Sequence, residues 1–399
     1  MPDLSQQPTN ATRRSHCHAA LRISGKELLI GHGAQDSYVA MLRQWKTYVF
    51  SEGRNVTFSS YPGFVHSSDD FIVNGHGLFM MSTTLLNFNG ESESLIRTNL
   101  PGFIQYMASL YLAATPRQYA DMWARDNSGS LQMQIMLLDT RVVDAALHAE
   151  RSLPADSFVL CENAPPITVC RDMAGVLEQQ GFWLSFDVAY FNETREATWS
   201  TIPQVQNKTA GAVAWPSSMS PPLTRTVDFA SNVTTMFYVI RHDNYPRDPM
   251  LTIALCSQSN TTWARLACPD DPAVYTSPLM SFGVRMDVVP YVPGIPLPHA
   301  LQPRAFGSLD AKVTSARMLG DAGGPSFIVQ NGPTTVQQPP FSIKAFYKKN
   351  PQVKKGRYLG MRDVFDYAPM LVQPFSIPRQ QQSGGGAGST AMAGVAIAG

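Results

Sequence analysis

The order of apolar segments along the chain limits the folds that it can adopt. The first strand-like runs are 19–23, 27–31, 71–73 and 78–83. Helical patterns follow at 101–114, 116–124 and 173–180. Further strand-like runs are 131–138, 158–161, 182–191 and 234–240. This order of strands, helices and more strands favours an α+β layered fold over the regular alternation of a Rossmann-like fold.

Two local patterns sharpen this prediction. Ser24-Gly25-Lys26 joins the first two strand-like runs and indicates a β-hairpin. Asp36 stands at a suitable N-cap position, and the apolar residues after it, as far as Val49, fall on one face at helical spacing. We therefore expect a helix over 36–49.

The composition excludes several classes of protein. The 31 basic and 30 acidic residues give a net charge of +1, so no clustered basic surface is available for nucleic acid. No uncharged apolar run reaches the roughly 18 residues of a transmembrane helix. The P-loop, G-x-G-x-x-G, G-x-S-x-G, H-E-x-x-H and C-x-x-C patterns are all absent from the sequence, so we expect neither a cofactor nor a metal.

Six N-x-[ST] acceptor sequences exceed the number expected by chance and indicate a glycoprotein of the secretory pathway. One is at Asn10, and we expect glycans at the other five, Asn55, Asn192, Asn207, Asn232 and Asn260. The low charged fraction of 15% agrees with a surface kept soluble by sugars. The first 15 residues nevertheless lack the apolar segment of a signal peptide.

The chain has five cysteines, an odd number. Cys161 and Cys170 bracket a proline-containing segment, and Cys256 and Cys268 bracket a polar loop with an acceptor sequence. Each pair could form a local disulfide that stabilises the fold by about 2–3 kcal/mol. Cys17 is then left over.

Three interpretations of Cys17 are open from the residues alone. It could join His16 and His18 at a metal, although successive side chains of a strand point to opposite faces and cannot easily share one ion. It could be a buried cysteine that packs like a small apolar residue. Finally, cleavage of the His16–Cys17 bond would give the thiol its own α-amine as a base.

The stretch CHAALRISGKELLIGHGAQDSYVAMLR, which begins at Cys17, resembles the start of the mature catalytic chain in the phospholipase B-like (lamina-ancestor) family. The following motifs continue this resemblance in the same order: SSYPGFVHSSDDF, LFMMSTT, DMWARDNSGSLQMQIMLLD, GFWLSFDVAYF, MFYVIRHDNYPRDP, DAKVTS, NGPT and FDY. Together they cover roughly residues 17–372, and so many motifs in register are hard to obtain by accident.

The resemblance implies an N-terminal nucleophile hydrolase, an αββα sandwich of two antiparallel sheets covered by helices. Members of the family are secreted or lysosomal glycoproteins, and autocleavage before a cysteine leaves two associated fragments. That bond corresponds here to His16–Cys17. The family acts on phospholipid acyl esters and its wider relatives cleave amides, so the resemblance implies a lipid or acyl-amide substrate. Cys17 would attack the carbonyl, its α-amine would carry the proton, and water would hydrolyse the thioester.

The resemblance also assigns supporting residues. His32 matches a family histidine near the nucleophile, with a capping or core histidine as the alternative. Arg241, expected at the end of a strand, would orient the nucleophile or stabilise charge, unless it only pairs with a neighbouring aspartate. Thr83 and Thr84 match a pair near the pocket, or are buried strand threonines.

Two departures from the family pattern leave a second function open. Asp187 stands where the family usually has asparagine, and an ionised carboxylate cannot donate to an oxyanion as an amide can. Gln35 replaces a usual tryptophan. The alternative is therefore a catalytically impaired lumenal glycoprotein that binds lipids or other ligands on the same fold. A purely structural glycoprotein would explain the acceptor sequences but not the surplus thiol.

We expect three segments along the chain. Residues 1–16 would be the remnant of a pro-segment, 17–379 one hydrolase domain, and 380–399, rich in Gly, Ala and Ser, a disordered tail. Family precursors carry a long fragment and a signal peptide before the nucleophile, so we also expect this sequence to be truncated at its front, with the N-terminal precursor fragment as a missing partner.

Overall fold

A computed structural model describes residues 16–50, 55–198, 222–248, 252–253, 275–291, 302–373 and 394–396, with short gaps at 68, 88, 90, 97–99, 126, 246, 277, 290, 322–323 and 359. The strands are, in chain order, β1 (His16–Ser24), β2 (Glu27–Ser37), β3 (Gln44–Val49), β4 (Asn55–Ser60), β5 (Phe71–Asn74), β6 (Leu78–Thr84), β7 (Met133–Asp139), β8 (Phe158–Ala164), β9 (Ile167–Asp172), β10 (Phe182–Ser185), β11 (Thr252–Ile253), β12 (Tyr275–Thr276), β13 (Phe306–Ser308), β14 (Asp310–Ser315), β15 (Phe327–Asn331), β16 (Phe341–Ser342), β17 (Val364–Phe365), β18 (Met370–Val372) and β19 (Gly394–Ala396). The α-helices are α1 (Gly102–Leu112), α2 (Pro116–Arg125), α3 (Thr140–His148), α4 (Ala174–Gln180), α5 (Asn192–Ala197), α6 (Val233–Ile240), α7 (Ala316–Leu319) and α8 (Ile343–Lys349).

Most of these strands form two antiparallel sheets. The first sheet has the order β10-β1-β2-β14-β15-β18, with β13 also paired to β2. The second has the order β19-β3-β4-β5-β6-β7-β8-β9. Two-residue pairings join β11 to β12 and β16 to β17.

The sheets stack face to face between layers of helix. Apolar side chains of both sheets, such as Leu21, Phe79 and Phe158, interdigitate between them. On its outer face the first sheet packs against α6, and the second packs against α1 and α2. The α+β class and the αββα layering implied by the resemblance are therefore confirmed.

Close packing of α6 on the first sheet depends on a glycine. A Cβ atom added to Gly31 on β2 would lie 2.5 Å from Cγ1 of Ile240 on α6. Any larger residue at this position would have to displace the Ile240 side chain or move α6 away from β2, the second strand of the first hairpin.

Several sequence predictions hold. The first hairpin is β1 and β2, with Gly25 in the left-handed region at φ 58°. The pair β5 and β6 and the helices α1, α2 and α4 also lie where the pattern placed them. Cys161 and Cys170, directly opposite each other on β8 and β9, form a disulfide. Cys256 and Cys268 lie outside the described residues.

Other secondary-structure predictions were wrong. In place of a helix over 36–49, the chain extends β2 to Ser37, makes a 3-10 turn at Tyr38–Ala40 and forms β3. Pairing of β3 with β4 outweighs a spacing that also suits a helix. Conversely, the apolar run expected as a strand at 234–240 is α6, because Asn232 and Thr235 cap its first turn and its apolar face is buried.

One predicted strand is shorter than expected, and two predicted segments lie mostly outside the described residues. β10 ends at Ser185, so the expected strand over 182–191 covers only its first part. Of the tail 380–399, only β19 is described, paired with β3. The pro-segment and the disordered tail therefore stay predictions. No helix in the described ranges is long and apolar enough to cross a membrane.

Candidate active site

The side chains between the two sheets change from apolar to polar along the strands. Side chains on one face of a strand recur at every second residue. Along β1 this face carries Leu21, Ala19 and then Cys17, and the neighbouring strands make the same change from apolar to polar. We call the resulting group the polar end of the inter-sheet layer, and it consists of Cys17, His32, Asp69, Thr83, Gln134, Glu162, Ser185, Asp310 and Lys312.

Cys17 is buried near the start of β1 and lies opposite Ala34 of β2. It is the free cysteine among the described residues. Burial raises the pKa of its thiol well above the usual value, and the negative charge of Asp187 raises it further. The positive charge of Lys312 acts in the opposite direction. In the uncleaved chain the sulfur is therefore a neutral thiol at neutral pH.

Asp187 brings a carboxylate to the backbone of Cys17. The Cys17 N–H donates to Asp187 Oδ1 over 3.4 Å. Asp187 lies just after β10 in the left-handed region, at φ 66°, which aspartate tolerates better than most residues. The atom that would become the α-amine after cleavage thus already faces an acceptor.

His32 lies on the same face as Cys17 and diagonally across the β1–β2 ladder from it. Its Nε2 is 2.9 Å from the carbonyl oxygen of Ser82, so Nε2 carries the hydrogen, because a carbonyl only accepts. Burial, and then the charge of Lys312, lower the pKa of His32 to about 3. His32 is therefore a neutral imidazole at the polar end, with the lone pair on Nδ1.

Thr83 belongs to a chain of hydrogen bonds between the sheets. Its Oγ1 is 2.7 Å from Ser185 Oγ, and that hydroxyl lies 2.5 Å from Gln134 Oε1. Because Ser185 donates to the amide oxygen, Thr83 donates to Ser185. Gln134 Nε2 in turn donates to Glu162 Oε1 over 2.6 Å.

Glu162 anchors the loop that carries Asp187. Its carboxylate accepts the backbone N–H of Tyr190 over 2.5 Å and that of Phe191 over 3.1 Å. Burial raises the pKa of Glu162, while these hydrogen bonds lower it. The chain of bonds from Thr83 to Glu162 thus holds in place the loop beside Cys17.

Four charged side chains at the polar end, none more than 10% exposed, form what we call the ionic cluster: Arg43, Asp69, Asp310 and Lys312. Lys312 donates to Asp69 over 2.7 Å and to the two oxygens of Asp310 over 2.8 and 2.9 Å. Arg43 bonds both carboxylates as well, and its guanidinium lies 4.0 Å above the ring of Tyr61. Burial alone would raise the pKa of Asp69, but Arg43 and Lys312 hold it well below its usual range.

Sequence reasoning missed the ionic cluster. Its members lie in three of the motifs that carry the resemblance: Arg43 ends the stretch that begins at Cys17, Asp69 lies in SSYPGFVHSSDDF, and Asp310 and Lys312 lie in DAKVTS. The available signal was a lysine two residues after an aspartate inside a short strand of otherwise small and apolar residues. Such a lysine lies on the same face as the aspartate and needs a partner if it is buried.

Asp70, next to this cluster, is a second buried carboxyl. Ser82 Oγ and Tyr106 OH each donate to it over 2.5 Å. Burial raises the pKa of Asp70 to about 6, although these hydrogen bonds lower it. Asp70 therefore titrates in a mildly acidic range.

Three further sequence-predicted residues lie away from this layer. Strand alternation puts Thr84 on the face opposite Thr83, and Gln35 on the face opposite Ala34. Arg241 is the C-cap of α6 rather than the end of a strand, and its Nη atoms donate to the carbonyl oxygens of Gly332 and Pro333 over 3.2 and 2.9 Å. Burial lowers the pKa of Arg241 to about 10. The structure thus joins Cys17, His32, Asp187 and Thr83, while Arg241 ties α6 to the loop after β15.

The acceptor asparagines and possible metal ligands can be located only in part. Asn55, Asn192 and Asn232 are exposed, and Asn10, Asn207 and Asn260 lie outside the described residues. Within the described ranges no three His, Cys, Asp or Glu side chains are grouped so that they could hold a metal ion.

Comparison with known proteins gives the family. A family model described as Phospholipase B matches residues 2–372. Phospholipase B-like 2 of Rattus norvegicus is 27% identical over 376 residues, which cover 89% of this chain and 59% of the relative. Phospholipase B-like 1 of Homo sapiens is 26% identical over 244 residues, covering 59% of this chain and 43% of the relative.

Among solved structures, a variant of conjugated bile acid hydrolase from Clostridium perfringens aligns with a TM-score of 0.34 and 10% identity, over 79% of this chain and 89% of that one. The chain spans about three fifths of the length of the rat relative. Since the family model matches nearly the whole sequence, this chain belongs to the phospholipase B family.

Proposed function

We propose that this chain is a hydrolase of acyl ester or amide bonds in lipids, with Cys17 as a nucleophile that cleavage of the His16–Cys17 bond exposes. The observation that carries the proposal is the position of Cys17 at the polar end, with its backbone nitrogen 3.4 Å from the carboxylate of Asp187. Membership of the phospholipase B family supports the class of substrate.

The cleavage step needs only groups of this chain and water. The thiol of Cys17 attacks the carbonyl carbon of His16, and the peptide nitrogen leaves as the α-amine of Cys17 and takes up the thiol proton. Water then hydrolyses the thioester, which frees the carboxylate of His16 and restores the thiol. Asp187 favours the departure of the nitrogen, because it accepts a hydrogen bond from the atom that becomes the amine.

Turnover of a lipid would repeat the same chemistry. The thiol attacks the acyl carbonyl, and the α-amine takes its proton and gives it to the departing alcohol or amine. Water hydrolyses the acyl thioester and releases the fatty acid. Thr83 and the loop-anchoring Glu162 support the proposal because they hold the loop of Asp187 beside Cys17.

One observation favours the alternative, a lumenal protein that binds lipids without turning them over. The charge of Asp187 raises the pKa of the Cys17 thiol and so opposes the thiolate. The same charge also favours the protonated form of a new α-amine, which cannot act as a base. The two functions therefore differ in whether Cys17 reacts in spite of Asp187.

We also propose a place of action and a state of the protein. The family resemblance and the exposed asparagines Asn55, Asn192 and Asn232 support a glycoprotein that is secreted or held in the lysosomal lumen. The greater length of the relatives supports an N-terminal precursor fragment as the partner of the catalytic part.

The decisive experiment is secretion of the chain from eukaryotic cells, followed by mass spectrometry of the fragment N-termini and of the glycans. We expect Cys17 as a new N-terminus, no cleavage in Cys17→Ala, and slow cleavage in Cys17→Ser, which keeps a weaker nucleophile. Release of fatty acid from phospholipid and from N-acyl amide vesicles then separates ester from amide hydrolysis.

Two results would contradict the proposal. One is a folded, secreted chain in which the His16–Cys17 bond stays intact. The other is binding of an acyl-chain mimic together with a hydrolysis rate that Cys17→Ala does not change, which supports the binding function.

A further inference from the structure

The ionic cluster bridges the two sheets next to Cys17. Asp310 and Lys312 come from β14 in the first sheet, whereas Asp69 precedes β5 and Arg43 precedes β3 in the second. Their side chains are between 0% and 10% exposed. Burying ions costs several kcal/mol each, and apolar residues of similar volume often stabilise a fold better. Stability alone therefore does not explain the cluster.

The contacts fix the ammonium group of Lys312 completely. An ammonium has three hydrogens, and Lys312 Nζ has three carboxylate contacts, one to Asp69 and two to Asp310. The hydroxyl groups of Ser59 and Ser67 also donate to the carboxylate of Asp69, over 2.8 and 3.1 Å. The charge of Lys312 thus has a fixed position between the sheets.

The cluster reaches the nucleophile through the neighbouring strand. Asp310 Oδ1 accepts the backbone N–H of Ala34 over 3.1 Å, and Ala34 lies directly opposite Cys17 in the β1–β2 ladder. Lys312 also pairs in register with His32, on the face that Cys17 shares. The cluster therefore fixes both the strand beside the thiol and a positive charge near it.

We propose that Lys312 is a positioning residue for Cys17: held by Asp69 and Asp310, it fixes the strand opposite the nucleophile and keeps a positive charge on the face that Cys17 shares. This inference rests on the proposed role of Cys17 as the nucleophile. The other charged or titratable groups that act on the thiol or line its surroundings come from several elements, namely Asp187 after β10, Asp69 and Asp70 before β5, Arg43 before β3, His32 on β2 and Asp310 on β14.

The signs of these charges give a test. Lys312 lowers the pKa of the Cys17 thiol, and Asp69 raises it. Below its pKa, a thiol is alkylated at a rate proportional to its thiolate fraction. We expect Lys312→Met to slow alkylation of Cys17 by iodoacetamide about tenfold, which corresponds to one pKa unit, and Asp69→Asn to accelerate it by a similar factor. Lys312→Arg keeps the charge and should restore the rate.

Opposite changes in the alkylation rate of the two variants distinguish an effect of charge from an effect of loosened packing. The measurement follows the mass of the Cys17 peptide over a range of pH from 7 to 9, in chains whose circular dichroism matches that of the wild type. Loosening would expose the thiol and accelerate alkylation in both variants. Changes in the same direction, or a folded Lys312→Met that reacts at the wild-type rate, would overturn the proposal.

Arg285 provides a matched control. It is as buried as Lys312 and pairs with Asp287 over 2.7 Å, but its other hydrogen bonds go to the carbonyl oxygens of Thr334 and Pro339. Arg285→Met should destabilise the fold and leave the alkylation rate of Cys17 within about twofold, far from the tenfold of one pKa unit.

Should Lys312→Met fail to fold, Asp69→Asn is compared with Ser59→Ala, which loosens the same carboxylate without changing the charge. An excess of about threefold or more for Asp69→Asn, roughly half a pKa unit, supports the proposal, and a smaller one overturns it.

Cleavage at His16–Cys17 is scored in the same samples, so the two proposals fail separately. Opposite rate changes in an uncleaved wild-type chain would refute the hydrolase function and keep the role of Lys312. Unchanged alkylation rates in a chain that is cleaved at His16–Cys17 would refute the role of Lys312 and keep the hydrolase function.

Discussion

The apolar and the polar end of the inter-sheet layer are built by the same strands, yet their energetics differ. Along β8, Phe158 and Leu160 at one end are followed by Glu162 at the other. Burial of apolar area stabilises the fold by about 25 cal/mol per Å², whereas burial of polar groups costs free energy unless every group is hydrogen-bonded. The comparison teaches that the apolar end is stabilised by burial itself, whereas the polar end, where Cys17 lies, depends on hydrogen bonds and ion pairs.

The largest expected effect removes a side chain from the apolar end. Phe158 is fully buried and its ring meets that of Trp183 edge-on at 5.7 Å. Phe158→Ala should lower the free energy of unfolding by about 3–5 kcal/mol, because it deletes apolar contacts and leaves a cavity. Urea denaturation measures this. The control is Phe229→Ala, since Phe229 is 71% exposed, and a comparable loss there would contradict the contrast between core and surface.

A smaller effect is a pH dependence of stability that comes from Asp70, next to the ionic cluster at the polar end. The pKa of Asp70 is raised from 3.8 to about 6, so the folded state binds its proton more tightly than the unfolded state does. The stabilising effect of Asp70 is complete below pH 3.8 and is lost as the pH rises through 6, by about 3 kcal/mol in total. The free energy of unfolding of the wild type should therefore fall over this range relative to Asp70→Asn. A difference between the two that does not change from pH 3.5 to 7.5 would contradict this assignment.

Next in size is the effect of Asp187 on the reactivity of the thiol. Asp187→Asn removes the charge that, after burial, raises the pKa of Cys17 most, and asparagine also tolerates the left-handed backbone. We expect alkylation of Cys17 at pH 7 to become about tenfold faster, the effect of one pKa unit. Asp228→Asn, at a half-exposed carboxylate that pairs with Arg22, is the control. An unchanged rate in Asp187→Asn would show that the carboxylate does not lower the reactivity of the Cys17 thiol.

The smallest effect concerns a single hydroxyl of the polar end. Ser185→Ala leaves Thr83 without its acceptor and the Gln134 oxygen without its donor. We expect a loss of about 1–2 kcal/mol in the free energy of unfolding, measured by urea denaturation. Ser94→Ala, at an exposed serine, should change it by less than about 0.5 kcal/mol. Equal effects of the two substitutions would mean that the hydrogen-bond chain is not stabilising.

Local patterns predicted much of the fold. The β1–β2 hairpin and the helices α1 and α2 are marked by Gly25 and by prolines near the helix starts, which act on neighbouring residues. The predictions failed where tertiary pairing decides, as in β3, which is a strand because β4 lies beside it. For α6 the deciding signal was present, since Asn232 and Thr235 form its cap, but the β-branched run outweighed it in the prediction.

The sequence predicted Cys17 but not the ionic cluster, again because tertiary contacts are not visible in local patterns. Cys17 was singled out by the odd number of cysteines and by the motif after it, both of which are visible in sequence. The ionic cluster joins Arg43 to Lys312, so its four charges come from distant segments and meet only when the two sheets stack. The spacing of residues within one segment of the sequence cannot predict a contact between segments so far apart. The sequence did not predict the cap role of Arg241, because the apolar run before it favours a strand and the structure has a helix there.

The start of β1 at His16 has a consequence for connectivity. The bond from His16 to Cys17 is the first peptide bond of the strand, and the pairs from Cys17–Ala34 to Ser24–Glu27 all follow it. Among the described residues, a break there separates one pair, His16–Gln35, from the rest, so the hairpin would keep its register although the covalent backbone is interrupted. The position of this bond thus makes chain scission compatible with an intact sheet: two polypeptides could share one fold without any refolding between them.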